Sequence, residues 1–216
     1  LVLLATDRQA YAELSALITR ARRAADKGQY RLGIDGLDNL PGCLVLLHPD
    51  NPQDQHRLTR YAECFGGRLW LEAHRLLTGD EPHYLRSLRA AANHFGLPIV
   101  AAGDVHMHRR ERQRLQDLVT AIRHRTTLAR AGWALYPNAE RHLRPLATLL
   151  QIYPREWLQQ SCAIAERCCF SLDELRYEYP DELVPEGLSP AAHLRTLTEA
   201  GMQVRWPDGV SRKVRD

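Results

Sequence analysis

Apolar residues fall into two alternating rhythms along the first half of the chain. Residues 1–5 form a short unbroken apolar run, a candidate strand. From Asp7 the spacing changes. Tyr11, Leu14, Leu17 and Ile18 recur every three or four positions, which predicts a helix over 7–24 with Asp7 as its N-cap. The pair then repeats. Cys43–Leu47 follows the turn Leu40-Pro41-Gly42 as a second strand, and 52–65 reads as a helix. Residues 68–73 form a strand after Gly66-Gly67, and 81–95 a helix closed by Gly96 and Pro98. Residues 99–102 form a strand ended by Gly103, and 109–124 a helix with Leu115, Leu118, Val119 and Ile122 at core spacing. Strand and helix alternating at this rhythm predict an α/β fold on a parallel sheet, open or closed into a barrel.

Beyond about residue 135 the strands stop. Residues 139–152 and 154–168 read as two helices broken at Tyr153-Pro154. A strand-poor stretch over 176–187 carries Pro180 and Pro185. A last helix is expected from Ser189, with Pro190 in its first turn, to Gly201. This places a domain boundary near 130–140 and a linker near 176–188, with no internal repeat.

Composition narrows the partners. The chain has 216 residues, of which 44% are hydrophobic, enough for a substantial core. No apolar run approaches the roughly 20 residues that span a bilayer, so no membrane partner is expected. Net charge is +3, and Lys27 and Lys213 are the only lysines among 29 basic residues. Arginine binds phosphate in a planar, two-pronged fashion, so nucleic acid is a permitted partner that this mild charge does not demand. Five cysteines without CxxC spacing give neither a disulfide framework nor a zinc finger, and they favour a reducing cytoplasm. Leu1 already lies inside a strand-like run, which is read as a cut within a longer chain.

The sharpest chemical feature is the end of the fourth strand, Gly103-Asp104-Val105-His106. Loops beyond the carboxyl ends of strands are where α/β folds assemble sites. A carboxylate and an imidazole two residues apart in extended chain point to one side and can share a divalent metal. The residues equally allow Asp104 to cap the next helix, with His106 at the surface. Cys43, opening an apolar strand, reads by itself as a small buried hydrophobe. Glu72 and His74 share a face near the end of the third strand, although such groups are more often solvated. Basic residues follow the Asp-x-His, among them Arg109, Arg110 and Arg114, which suit a phosphate-rich ligand or simply a solvated helix face. Serine and cysteine nucleophile motifs and phosphate-cradling glycine loops are absent.

Several phrases resemble a known family: Leu1-Val2-Leu3-Leu4-Ala5, Leu40-Pro41-Gly42-Cys43, Ala101 to His108, Leu135 to Arg144, and Phe170 to Pro180. Together they are similar to the error-prone paralogue of the bacterial polymerase III alpha subunit, a C-family DNA polymerase. The resemblance spans essentially the whole chain. It implies that 1–135 is the C-terminal part of a polymerase-and-histidinol-phosphatase (PHP) domain, a distorted βα barrel that binds divalent metals. It implies that 136–216 supplies connecting helices and a linker into the palm and thumb. Cys43, Asp104 and His106 match metal ligands of that family, zinc or manganese being the expected ions. The remaining ligands, and the palm aspartates that hold magnesium, are expected outside these residues, so no catalytic residue is expected within them. The parent would be a DNA-directed DNA polymerase acting in damage-tolerant, mutagenic synthesis in the cytoplasm. Its partners would be DNA and dNTPs, with a sliding clamp and mutagenesis accessory proteins besides. Two alternatives stand beside this reading: a stand-alone PHP phosphoesterase, and a non-catalytic PHP scaffold.

Overall fold

A computed structural model describes residues 1–37, 40–176 and 183–211. It is mixed α/β. Four strands, β1 (Val2–Ala5), β2 (Cys43–Leu47), β3 (Leu69–His74) and β4 (Ile99–Ala102), form one sheet in the order β1-β2-β3-β4. β2, β3 and β4 run parallel, in agreement with the alternating pattern. β1 departs from it and pairs antiparallel with β2, Ala5 opposite Cys43. A 16-residue helix and a long loop separate β1 from β2, and this connection returns the chain alongside β1 in the reverse sense.

Helices α1 (Arg8–Arg23), α2 (Gln55–Phe65) and α3 (Glu81–Phe95) alternate with the strands. Asp7 caps α1 by accepting from the Ala10 amide at 2.8 Å. Asp54 caps α2 through the Arg57 amide. Gly96, left-handed at φ 63°, ends α3 where the sequence placed its stop. One face of the sheet buries Cys43, Val45, Leu47, Leu69, Leu71, Ala73 and Ile99 against these helices. The other face buries Leu44, Trp70 and Val100 against Ile164. Burial on both faces is why β2 and β3 read as continuous apolar runs rather than as alternation, whereas β1 is apolar yet exposed to half-buried.

Further along lie α4 (Gln113–Arg123), α5 (Leu128–Ala131), α6 (Leu146–Ile152), α7 (Arg155–Arg167) and α8 (Pro190–Arg205). Three expectations need correction here. The helix expected over 109–124 begins as a 3₁₀ turn at Arg110–Arg112, and its apolar stripe is not core: Leu115, Leu118, Val119 and Ile122 are all exposed and only Ala121 is buried. The helix expected over 139–152 starts at Leu146, because 136–145 is irregular chain held by side-chain bonds. The last helix runs through Gly201 to Arg205.

Contacts divide the chain into one compact unit over Leu1–Leu175 and another over Arg176–Asp216. The reason lies in α7. Its Ile164 packs on Leu44, Trp70 and Val100, and its Gln160 accepts from the Trp70 indole at 2.8 Å. The chain after α7 returns to the start of the sheet, where the Cys169 amide donates to the Thr6 carbonyl and Phe170 stacks on Tyr11. Residues 177–182 of the expected linker at 176–188 lie outside the described residues.

Candidate functional site

Three parallel strands ending at one edge make that edge the place to look for chemistry. β4 ends at Ala102, level with His74, the last residue of β3. Gly103 follows, and Asp104 then turns the chain at φ 41°, a left-handed conformation that aspartate tolerates better than most residues. The turn brings Asp104 Oδ1 to 3.2 Å from His106 Nε2, so the two residues of the motif do meet.

They meet in company. The Arg141 guanidinium forms an ion pair with Oδ2 of Asp104. The Tyr136 hydroxyl lies 3.1 Å from His106 Nε2, and the Arg141 guanidinium lies over the Tyr136 ring, 4.4 Å from its centroid. The backbone repeats the clasp. The amides of His106 and Met107 both donate to the Arg141 carbonyl, at 2.9 and 3.1 Å, and Leu143 donates back to Met107.

Cys43 is not part of this group. It opens β2 at the other end of the sheet, one step before Leu44, and Val45 is level with the first residue of β3. From that level to the level of Ala102 is the six-residue length of β3, roughly 16 Å at ~3.3 Å per residue. Its thiol is fully buried among Ala10, Val45 and Leu40 and points to the Ala10 carbonyl at 3.8 Å. Burial, reinforced by Glu13, pushes the thiol pKa up, away from the thiolate a metal requires. The small-hydrophobe reading describes its surroundings, and its placement removes it from a shared centre with Asp104 and His106.

Glu72 and His74 are nearly buried rather than solvated, with Glu72 Oε2 3.6 Å from His74 Nε2. They belong to a second group that includes His48, a residue the sequence reading passed over. His48 follows β2 directly, and its ring stacks on His74 at 4.1 Å and 6°. The Tyr84 hydroxyl approaches His48 Nδ1 at 3.3 Å and donates to the Pro49 carbonyl at 2.8 Å. Burial, and next the neighbouring His74, lower the His48 pKa. Parallel stacked rings hold their lone pairs in separate planes, so one ion cannot sit in line with both.

Two buried glutamates complete the edge. Glu81, the first residue of α3, accepts from the amides of Leu76 and Leu77 at 2.6 and 2.9 Å and from Arg75 Nε at 2.8 Å. Glu140 pairs with Arg110 and, at 2.9 Å, with Arg144. Arg144 also donates to the Arg75 carbonyl, and Asn138 donates to the Leu76 carbonyl at 2.7 Å. Residues 136–144 thus close over the exits of β3 and β4.

This donor set does not fit a divalent-metal centre. Asp104 already faces a guanidinium, His106 Nε2 is shared between Asp104 and Tyr136, and Cys43 is at the far end. Among the described residues, no group of three or more histidine, cysteine and acidic side chains is placed to hold an ion. Of the three arginines considered for phosphate, Arg110 is engaged by Glu140, while Arg109 and Arg114 are exposed.

No family model matches the chain. Known proteins do. Over its whole length it is 51% identical to a stretch of the error-prone DNA polymerase of Methylococcus capsulatus. It is 50% identical to that of Pseudomonas aeruginosa and 45% to that of Dechloromonas aromatica, again over all of its length. The chain spans about a fifth of the length of these relatives, 21–22% in each case.

Proposed function

We propose that these residues are a structural part of an error-prone DNA polymerase, a DNA-directed nucleotidyltransferase that copies damaged templates in the bacterial cytoplasm. One observation carries this reading: about half of all positions are identical, end to end, to a fifth of such polymerases. Identity at that level over a whole chain implies the same fold and the same place in the larger protein.

In this reading the sheet and its helices are the C-terminal part of a PHP-type βα barrel. Its three parallel strands with helices between them are the element order such a barrel needs. The chain after α4 then leads toward the palm and thumb. DNA and dNTPs are the substrates of the parent, and magnesium serves its polymerase core. The acidic residues for that core belong to the four-fifths of the relatives that this chain does not span. Among the described residues the three buried glutamates have local partners: Glu72 lies beside His74, Glu81 holds the 75–77 loop and Glu140 sits between two arginines. The edge also gives no support to a stand-alone phosphoesterase.

Primer extension tests the proposal. The full natural chain that carries this sequence should extend a primed template with dNTPs and magnesium, whereas residues 1–216 alone should not. Extension by the isolated residues would overturn the assignment, as would failure of the full chain to extend any primer.

A further inference from the structure

An Asp-x-His at a strand exit is a pair built to face a cation, and in this chain a cation already faces it. We propose that Arg141 is the resident cation of the Asp104–His106 pair, and that the centre is a metal-free latch fixing residues 136–144 over the exits of β3 and β4. The inference stands on geometry alone and holds whether or not the parent is a polymerase.

Three observations converge on it. First, the guanidinium is held on two sides, by the Asp104 carboxylate and by the Tyr136 ring, while Tyr136 also meets His106. A planar, permanently charged group that can pair and stack at once suits that slot, and an ammonium group would fill it poorly. Second, the backbone of Arg141 receives the amides of His106 and Met107. Side chain and main chain of one residue therefore grip the same four-residue stretch. Third, Asp104 adopts φ 41° outside any helix or strand. Sparsely populated backbone of this kind persists when its surroundings over-determine it, and here they do: carboxylate, imidazole and two downstream amides are each tied to the 136–144 segment.

Chemistry follows from occupancy. A hydrolytic centre needs an ion with an open position for water. A guanidinium offers neither a coordination site nor a way to acidify water, so the pair holds chain together and makes no nucleophile. Zinc or manganese at Asp104 Oδ2 would compete with Arg141 for the same oxygen.

The test measures metal and stability together on the full natural chain. After equilibration with zinc or with manganese and then desalting, elemental analysis should find no stoichiometric ion attributable to this pair. Asp104→Asn and His106→Ala should leave the metal content unchanged, and chelation should leave the melting temperature unchanged. Arg141→Met and Asp104→Asn should each lower the melting temperature and speed proteolysis within 136–144. The double variant should be no worse than the more damaged single one, because both remove the same contact. Arg141→Lys, which keeps the charge but not the plane, should fall between wild type and Arg141→Met. An ion retained one per chain and lost in Asp104→Asn would overturn the proposal. So would fully additive losses in the double variant, or proteolysis of 136–144 indifferent to both substitutions.

Discussion

Replacing Glu81 with alanine should be among the most damaging single changes available at the strand exits. Its carboxylate accepts three hydrogen bonds, two from the Leu76 and Leu77 amides and one from Arg75 Nε. The side chain is 9% exposed and that of Arg75 35%. On truncation the Leu76 amide loses its acceptor in a buried setting, which costs about 1–3 kcal/mol. The Leu77 amide sits in an exposed residue and recovers water, so its loss is smaller, about 0.5–1 kcal/mol. Arg75, one-third exposed, partly rehydrates; breaking fully buried pairs costs about 3–5 kcal/mol, and this pair should lie below that. Taken together, and less the burial cost that Glu81 no longer bears, a loss of about 3–4 kcal/mol is expected. At about 2–4 °C per kcal/mol for a chain of this size, the melting temperature should fall by roughly 6–16 °C. Glu81→Gln keeps one acceptor for the amides but not the charge for Arg75, and should lose about 1–2 kcal/mol. Urea titration and calorimetry give both numbers, and limited proteolysis should show earlier cleavage at 75–80 in the alanine variant. A loss under about 1 kcal/mol for Glu81→Ala would refute the claim that this carboxylate organises the loop.

Cys43→Ala should leave the chain's metal content untouched and lower stability by about 1–2 kcal/mol, the cost of removing one buried sulfur from a packed core; a change in bound metal would return Cys43 to the ligand set. His48 carries a pH prediction. Its folded pKa is lowered by burial and then by His74, so the unfolded chain binds the proton more readily. The stability this contributes is complete above the unfolded value of about 6.5 and is lost as pH falls through that value toward the folded one. Its other charged neighbours, Glu72 and Asp50, act in the opposite direction. Melting temperature followed from pH 7.5 to 5 should therefore decline in wild type and decline less in His48→Gln; parallel curves would show that His48 is not the sensor.

Regular elements were legible where local rules and tertiary burial agree. β2 and β4, and helix α3, begin and end at the residues their apolar runs and Gly or Pro stops indicate. The signal failed in three places for separate reasons. The resemblance set Cys43 beside Asp104 and His106, whereas its own surroundings in the sequence read as a small buried hydrophobe; it opens β2 a full strand length away. A helical stripe reports amphipathicity but not a partner, and so Leu115, Leu118, Val119 and Ile122 read as core while lying exposed. Residues 136–145 were read in part as helix, yet they form none. Their order comes from bonds to Leu76, Arg75, Asp104 and Met107, each separated from them by tens of positions. The phrase Leu135 to Arg144 stood out in the sequence for its resemblance, but nothing local in it says which distant groups it must meet. His48 escaped because a lone histidine after a strand carries no pattern; its two partners are on other elements.

The acids at the exits of β3 and β4 have partners within the protein. Glu81 has Arg75, Glu140 has Arg110 and Arg144, Asp104 has Arg141, and Glu72 Oε2 lies 3.6 Å from His74 Nε2. Three of these four acids are buried, where an unpaired carboxylate would be prohibitively costly and where each partner must also satisfy the remaining hydrogen-bonding atoms. Removing Arg75 would leave the buried Glu81 to bear that cost, and the 136–144 segment is tied to the same loop: Arg144 binds the Arg75 carbonyl, and Asn138, two residues before Glu140, binds Leu76 beside it. A divalent ion entering this edge would meet three carboxylates already paired with arginines, and arginines that repel it. The same charges that elsewhere would recruit a metal here join the 136–144 segment to the sheet, and this is why that segment folds with the α/β unit although it contributes no strand to it.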